Sequence, residues 1–215
     1  MNLKKELPYL LIIAIPFIYL AFIWHALPEK VPMHWNINGD IDRYGSKTEL
    51  LWVTLMLPVS LYLIMLVIPK IDPKGQIKKM ANKYGQIKFL LTTFMSFLAL
   101  FIIYSAKTRT LANPNYVLMF IGVLYIILGN YFKTIKPNYF IGIRTPWTLE
   151  NEQVWKRTHA LAGKMWFTGG FLIILSGLML NKSTNLYVFL AITFLITVIP
   201  VYYSYRKFQL LNSSE

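Results

Sequence analysis

The sequence predicts an all-α integral membrane protein with six transmembrane helices. Three observations carry this reading. Hydrophobic residues make up 56% of the 215 residues and charged residues only 14%, against about 25% charged in soluble domains. The charges are clustered, which leaves long apolar runs between polar intervals. The density of Lys and Arg also alternates from one interval to the next.

A helix of about 18 uncharged apolar residues suffices to cross the hydrocarbon core. Five runs reach that length: Leu7–Leu27, Leu50–Pro69, Phe89–Ala106, Leu111–Phe132 and Leu186–Tyr205. A sixth, Met165–Asn181, has 17 residues and is lengthened by the helix expected before it. With six spans, the N-terminus, the second and fourth loops and the C-terminus share one side, which holds 16 of the 22 Lys and Arg residues. Basic residues concentrate on the cytoplasmic side, so the topology is expected to be N-in/C-in. The net charge of +13 follows from that asymmetry, and no direct nucleic-acid contact is expected. Lys4-Lys5 precedes the first run as in a signal peptide, but 21 apolar residues exceed the usual ~7–15. An uncleaved anchor is expected. The lack of cysteine excludes disulfides and thiolate chemistry.

The chain is expected to divide into a two-helix membrane domain over 1–70 with an outer loop at 28–48, a basic amphipathic cytoplasmic linker over 71–88, and a four-helix membrane domain over 89–215 with a cytoplasmic motif at 138–166. In the first span Pro8 suits a helix start, while Pro16 demands a kink or a neighbour that satisfies the freed carbonyl. His25 reads as an interfacial residue near the outer end. In the outer loop Val31, Met33, Trp35 and Ile37 alternate and Asn38-Gly39 follows. That pair is a hairpin signal in which both residues take positive φ, so a small outer β-hairpin is expected. His34, Asn36, Asp40 and Asp42 lie close together in it. Their order is not that of an EF-hand, and a hydrogen-bonded hairpin outweighs a metal site. No metal or other cofactor is expected.

In the linker Ile77, Met80, Tyr84 and Ile87 fall on one helical face, with Lys74, Lys78, Lys79, Lys83 and Lys88 on the remainder. Such interfacial cytoplasmic helices lie on an anionic leaflet or dock a cytoplasmic partner. The loop Lys107–Asn115 is expected to be short and exposed. Gly122 and Gly129 in the fourth span, and Gly170 and Gly177 in the fifth with Gly169 and Ser176 beside them, read as close packing surfaces. No Lys, Arg, Asp or Glu lies inside the apolar runs, which weighs against an ion-coupled carrier. Arg206 to Glu215 is expected as a frayed tail.

The interval from Asn138 to Trp166 is the richest in chemistry. Gly142, Ile143 and Arg144 read as extended, and Pro146 pushes Thr145 away from helix. A helix then begins, capped by Thr145 or by Thr148, and continues along the inner interface into the fifth span. Glu150 and Glu152 fall in its first turns, and Glu152 precedes Lys156 in the favourable i, i+4 order. Trp155, His159, Ala162 and Trp166 share one face. Thr158, His159 and Glu152 could be assembled into a catalytic set, but their spacing does not require it, and no enzyme is expected. Arg144 is the sharper candidate, free to pair with Glu150 or Glu152, clamp a carboxylate or contact lipid phosphate.

The run Asn138-Tyr-Phe-Ile-Gly-Ile-Arg-Thr-Pro-Trp-Thr-Leu, then Val154-Trp-Lys-Arg-Thr-His159 and Gly163-Lys, resembles the signature of the SdpI-type immunity proteins, polytopic bacterial membrane proteins. Pro32-x-His34-Trp-Asn-x-x-Gly39-x-x-Asp42 resembles a small membrane domain of unknown function found before that segment. The resemblance implies a multi-pass plasma-membrane protein that protects a bacterium against a secreted peptide toxin. It also implies signalling, by holding a cytoplasmic repressor at the membrane. The matching positions, and hence the binding or signalling candidates, are Gly142, Arg144, Thr145, Pro146, Trp147, Thr148, Trp155 and His159. The candidates of the outer loop are His34, Trp35, Asn36, Asn38, Gly39 and Asp42. The competing reading is a small transporter or channel that uses Asn130 and His25, with proline-broken spans as gates.

Overall fold

In lipid no water satisfies a backbone N–H or C=O, so apolar runs fold as helices that close their own hydrogen bonds. The computed structural model describes residues 3–110 and 113–213. In chain order it contains α1 (Leu3–Ile23), a hairpin of β1 (Lys30–Trp35) and β2 (Ile41–Ser46), α2 (Lys47–Leu55), a π turn (Met56–Ser60), α3 (Leu61–Ile71), α4 (Gln76–Lys79), α5 (Ala81–Thr108), α6 (Asn115–Phe132), α7 (Pro146–Glu150), α8 (Glu152–Met179) and α9 (Lys182–Asn212). Six stretches are long and apolar enough to cross a membrane: α1, the continuous run from α2 to α3, α5, α6, α8 and α9. Each overlaps one of the six expected spans, although α6 starts at Asn115 and α8 ends at Met179, short of the expected Leu111 and Asn181. Leu111 and Ala112, at the start of the fourth, lie outside the described residues. The π turn falls at Pro58, whose missing N–H interrupts the i→i−4 ladder.

The helices group into two compact units, Met1–Val67 with Gly85–Pro114, and Ile68–Tyr84 with Asn115–Glu215. In the first unit the hairpin is antiparallel with irregular register around His34. Its inward residue Val31 is fully buried in a cluster with Leu20, Ile23, Leu27, Leu50, Ile103 and Ala106. Ser46 ends β2 and caps α2, accepting from the Glu49 N–H at 3.1 Å. The hairpin is therefore fixed to the helices at its open end, through both strands. Its turn differs from the expected one. Gly39 takes φ 87°, but among the described residues Asn38 is not at positive φ. Asn36 shapes the turn instead: its carbonyl accepts from Gly39 N–H at 2.9 Å, and its side-chain oxygen accepts from the N–H groups of Asn38 and Asp40. The loop is thus longer than a two-residue turn, and Ile37 belongs to it rather than to a strand.

The same unit holds a group the sequence did not reveal. Lys88, expected on the basic side of an interfacial helix, is buried. Its ammonium lies 2.8 Å from the Glu6 carboxylate and 4.0 Å from the Tyr9 ring centre. Tyr62 also donates to Glu6, at 2.9 Å. Cations over aromatic faces are attracted by the ring quadrupole, so Lys88 is compensated on two sides. Ile77, Met80, Tyr84 and Ile87 are all buried, as their period predicts.

In the second unit α8 packs against both α6 and α9. The contact with α6 depends on glycine. A Cβ at Gly122 would lie 2.9 Å from the Gly170 carbonyl oxygen, and one at Gly129 would lie 2.8 Å from that of Gly163. Gly169 instead faces Ile192 and Ile196 of α9. At one end of α8, Asn115 is buried rather than exposed. Its amide donates to the carbonyls of Gly177 and Leu180, Asn185 donates to Asn115 Oδ1 at 3.0 Å, and Ser176 donates to Asn185 at 2.8 Å. The expected frayed tail is also corrected, since α9 stays helical through Asn212; Ser214 and Glu215 lie outside the described residues.

Two predictions follow from these contacts. Lys88→Met leaves the half-buried Glu6 carboxylate without its cation, so thermal unfolding in detergent should show a loss of about 2 kcal/mol. The double variant E6Q/K88M should recover most of it. Gly129→Leu forces the α6 and α8 backbones apart and should lower stability by roughly 2 kcal/mol or more, whereas Gly85→Ala, whose Cβ would meet only the Tyr9 hydroxyl at 3.8 Å, should cost less.

Candidate functional site

Residues 133–151 join α6 to α8, and their backbone is bonded both by their own side chains and by side chains of α8. Asn138 is fully buried at the centre of this segment. Its amide nitrogen donates to the carbonyls of Lys136 and Ile141, and its oxygen accepts from the N–H groups of Phe140 and Ile141 at 2.8 Å. Gly142 then takes φ 106°, a region that favours glycine. A Cβ there would run into the His159 imidazole.

His159 is 1% exposed and both ring nitrogens are engaged. Nε2 accepts the Ile143 N–H at 3.0 Å, so Nδ1 carries the proton and donates to the Trp155 carbonyl at 2.9 Å. These partners assign the neutral tautomer. The imidazole stacks on the Trp155 indole with ring centres 4.0 Å apart and 19° between planes. Trp155 N–H donates to the Ile135 carbonyl at 2.7 Å. The α8 face foreseen from periodicity therefore holds both ends of the preceding loop.

Pro146 begins α7 and Thr145 caps it, in a reciprocal capping box with Thr148. Thr148 Oγ1 also donates back toward the carbonyls of Ile143 and Thr145, each 2.9 Å away. Trp147 N–H donates to Ser204 on α9, and its ring meets Tyr205 edge-on at 5.3 Å. The expected single helix is in fact two. Asn151 leaves the helical region with φ −124° and ψ 116°, and its side chain caps α8 by accepting from the N–H groups of Gln153 and Val154.

Of the alternatives open to Arg144, the pairing with Glu150 or Glu152 is not found. Arg144 is exposed, and its guanidinium donates to the Tyr139 carbonyl at 2.6 Å. Glu152 pairs instead with Lys156 at 2.8 Å. Thr158 is buried, and its hydroxyl has no hydrogen-bond partner among the described residues. Thr158, His159 and Glu152 thus make no chain of proton transfer, and His159 has no nitrogen left for acid–base work. Of the eight candidates, Gly142, Thr145, Thr148, Trp155 and His159 build the scaffold, Trp147 ties it to α9, and Arg144 and Pro146 are exposed. A polar cavity of 570 Å³ opens beside the segment, with Lys74, Lys133, Lys136, Lys156, Glu150 and Glu152 among its lining. Lys74 closes one side by donating to the Leu149 carbonyl at 3.1 Å.

The hairpin candidates do not converge on a ligand. His34 lies 2.6 Å from Asp42 across the strands, in an exposed pair, and Asn36 donates to Asp40 at 3.3 Å. Among the described residues no three His, Asp or Glu side chains gather as metal ligands would. Sequence reading missed Asn138, Asn151, Ser204 and Lys74. The first two carried a signal, because Asn side chains cap turns and helices. For Ser204 and Lys74 no local spacing points to a partner so far along the chain.

Two family models match the chain: the SdpI/YfhL protein family over residues 134–204, and a domain of unknown function, DUF1648, over residues 11–58. Among curated proteins, Immunity protein SdpI of Bacillus subtilis (strain 168) is 26% identical over 222 aligned positions, covering 99% of this chain and all of that one. An uncharacterized protein of Archaeoglobus fulgidus is 33% identical over 58 residues, or 27% of this chain and 32% of the relative. No solved structure matches the chain.

Gly142→Ala combines a disfavoured φ with a collision against His159, and should lower stability by about 2 kcal/mol or more. Near-UV circular dichroism of the stacked Trp155 should weaken in parallel. Arg144→Ala, which removes only an exposed bond, should leave both measurements within ~0.5 kcal/mol of the parent.

Proposed function

We propose that the chain is a member of the SdpI/YfhL protein family, a multi-pass plasma-membrane protein, and an immunity protein conferring resistance to a secreted antimicrobial peptide toxin. The single observation that carries this reading is similarity to an immunity protein along essentially the full length of both chains.

In this reading both termini are cytoplasmic, because 16 of the 22 basic residues then face the anionic inner leaflet. The hairpin lies outside, where an arriving peptide meets it. Its exposed His34, Asn38 and Asp42 are the contacts, and Val31 transmits its position to α1, α2 and α5 through the cluster it shares with them. The segment 138–151 lies inside. Its buried residues set a rigid shape, and Arg144 with Pro146 presents that shape to a cytoplasmic repressor. A change in the packing of α6 against α8 is the coupling step.

The observation favouring a small transporter instead is the pairing of buried Lys88 with half-buried Glu6, since ionisable groups in membrane bundles mark substrate or ion pathways. Reproducible substrate flux into proteoliposomes would support it, whereas toxin protection without flux opposes it.

Immunity is tested in the native host. Cells deleted for the gene should lose viability in conditioned medium of the parent, and plasmid-borne copies should restore it. Unchanged viability would contradict immunity. For the signalling half, Arg144→Ala should abolish membrane recruitment of a fluorescently tagged repressor while preserving protein level. Undiminished recruitment would remove Arg144 from the mechanism.

A further inference from the structure

On the flank of the α6–α8 pair lies a hollow of 410 Å³. Gly129 and Gly163 form its floor, and without side chains they leave the helix backbones bare. Phe167, 47% exposed, makes an apolar wall. One end is cationic. Lys133 follows the last residue of α6, and Lys164 stands on the facing turn of α8. Both side chains are exposed, and neither pairs with a carboxylate among the described residues. Asn130, one turn before Lys133, is also exposed, and its amide has no partner among the described residues.

These helices are long and apolar enough to cross a membrane, so the flank faces lipid. A cation or amide there is costly unless it reaches headgroup oxygens, which lysine does by extending its stem toward the interface. We propose that this hollow holds one phospholipid with a net negative headgroup. The phosphate sits between Lys133 and Lys164, and Asn130 donates to a phosphate or ester oxygen. An acyl chain lies over Gly129 and Gly163 against Phe167. Charge complementarity selects the occupant: a zwitterionic lipid would bring its own cation toward two lysines. Lys133 also borders the adjacent polar cavity, where Lys156 and Glu152 neutralise each other and Lys74 and Lys136 outweigh Glu150.

Native mass spectrometry of the full chain in detergent tests this, with phosphatidylglycerol or phosphatidylcholine of identical acyl chains as the probes. One phosphatidylglycerol should be retained in preference to phosphatidylcholine. K133Q/K164Q should reduce its retention about tenfold, as expected for two lysines acting on one anion. K133R/K164R, which keeps both charges, should retain the lipid. K78Q/K79Q removes the same charge from another exposed surface and should leave retention unchanged. Equal retention of the two lipids would overturn the proposal. So would equal loss in the two glutamine double variants, which would indicate diffuse attraction, or displacement by millimolar inorganic phosphate, which would indicate an anion site indifferent to the acyl chain.

Discussion

A polar segment tethered between two apolar helices must satisfy its own backbone, and the His159 imidazole is the group on which that satisfaction turns. It takes the Ile143 N–H from the loop and gives its own proton to the Trp155 carbonyl of the helix that follows. An unbonded buried donor costs about 1–3 kcal/mol, so this bridge excludes most alternative paths for residues 139–145. Gly142 permits it by bringing backbone to within contact of the ring, where a side chain would not fit. Asn138 does for the first half of the segment what Thr148 does for the second, each engaging several backbone groups with one short side chain.

The rest of the second unit follows from the placement of α8. Trp155 and His159 fix one end of it, and the Asn115–Asn185–Ser176 network fixes the other. Between these polar ties the helix pair is sealed by Gly122 and Gly129 against Gly170 and Gly163. In lipid, close backbone approach and interhelical hydrogen bonds replace the hydrophobic effect as the source of helix association, and this unit uses both. The first unit reaches the same end by different means, with an apolar cluster below its hairpin and a caged ion pair elsewhere.

What was legible in the sequence was governed by period and composition. Six apolar runs gave six candidate spans, alternation with Asn38-Gly39 gave the hairpin, and the i, i+4, i+7 face of α8 gave the buried Trp155 and His159. What was not legible depended on partners distant along the chain. Glu6 and Lys88 stand just outside apolar runs and look solvated until Tyr9 and Tyr62 are brought beside them. Asn115 looked like loop because its partners are the far ends of α8 and α9. Arg144 looked like an ion-pairing residue, yet the nearest acceptor offered by the local chain was a carbonyl. In the hairpin, Asn36 overrode the two-residue turn because its side chain could cap the loop from within.

In the segment 138–151 a scaffold of buried side chains carries the exposed Arg144 guanidinium. The central claim, a preorganised segment held by backbone bonds to buried side chains, is tested most directly by hydrogen–deuterium exchange of the intact protein in lipid nanodiscs. Slow exchange at the amides of Phe140, Ile141 and Ile143 is the expected result. Exchange at the rate of an unstructured peptide would contradict it.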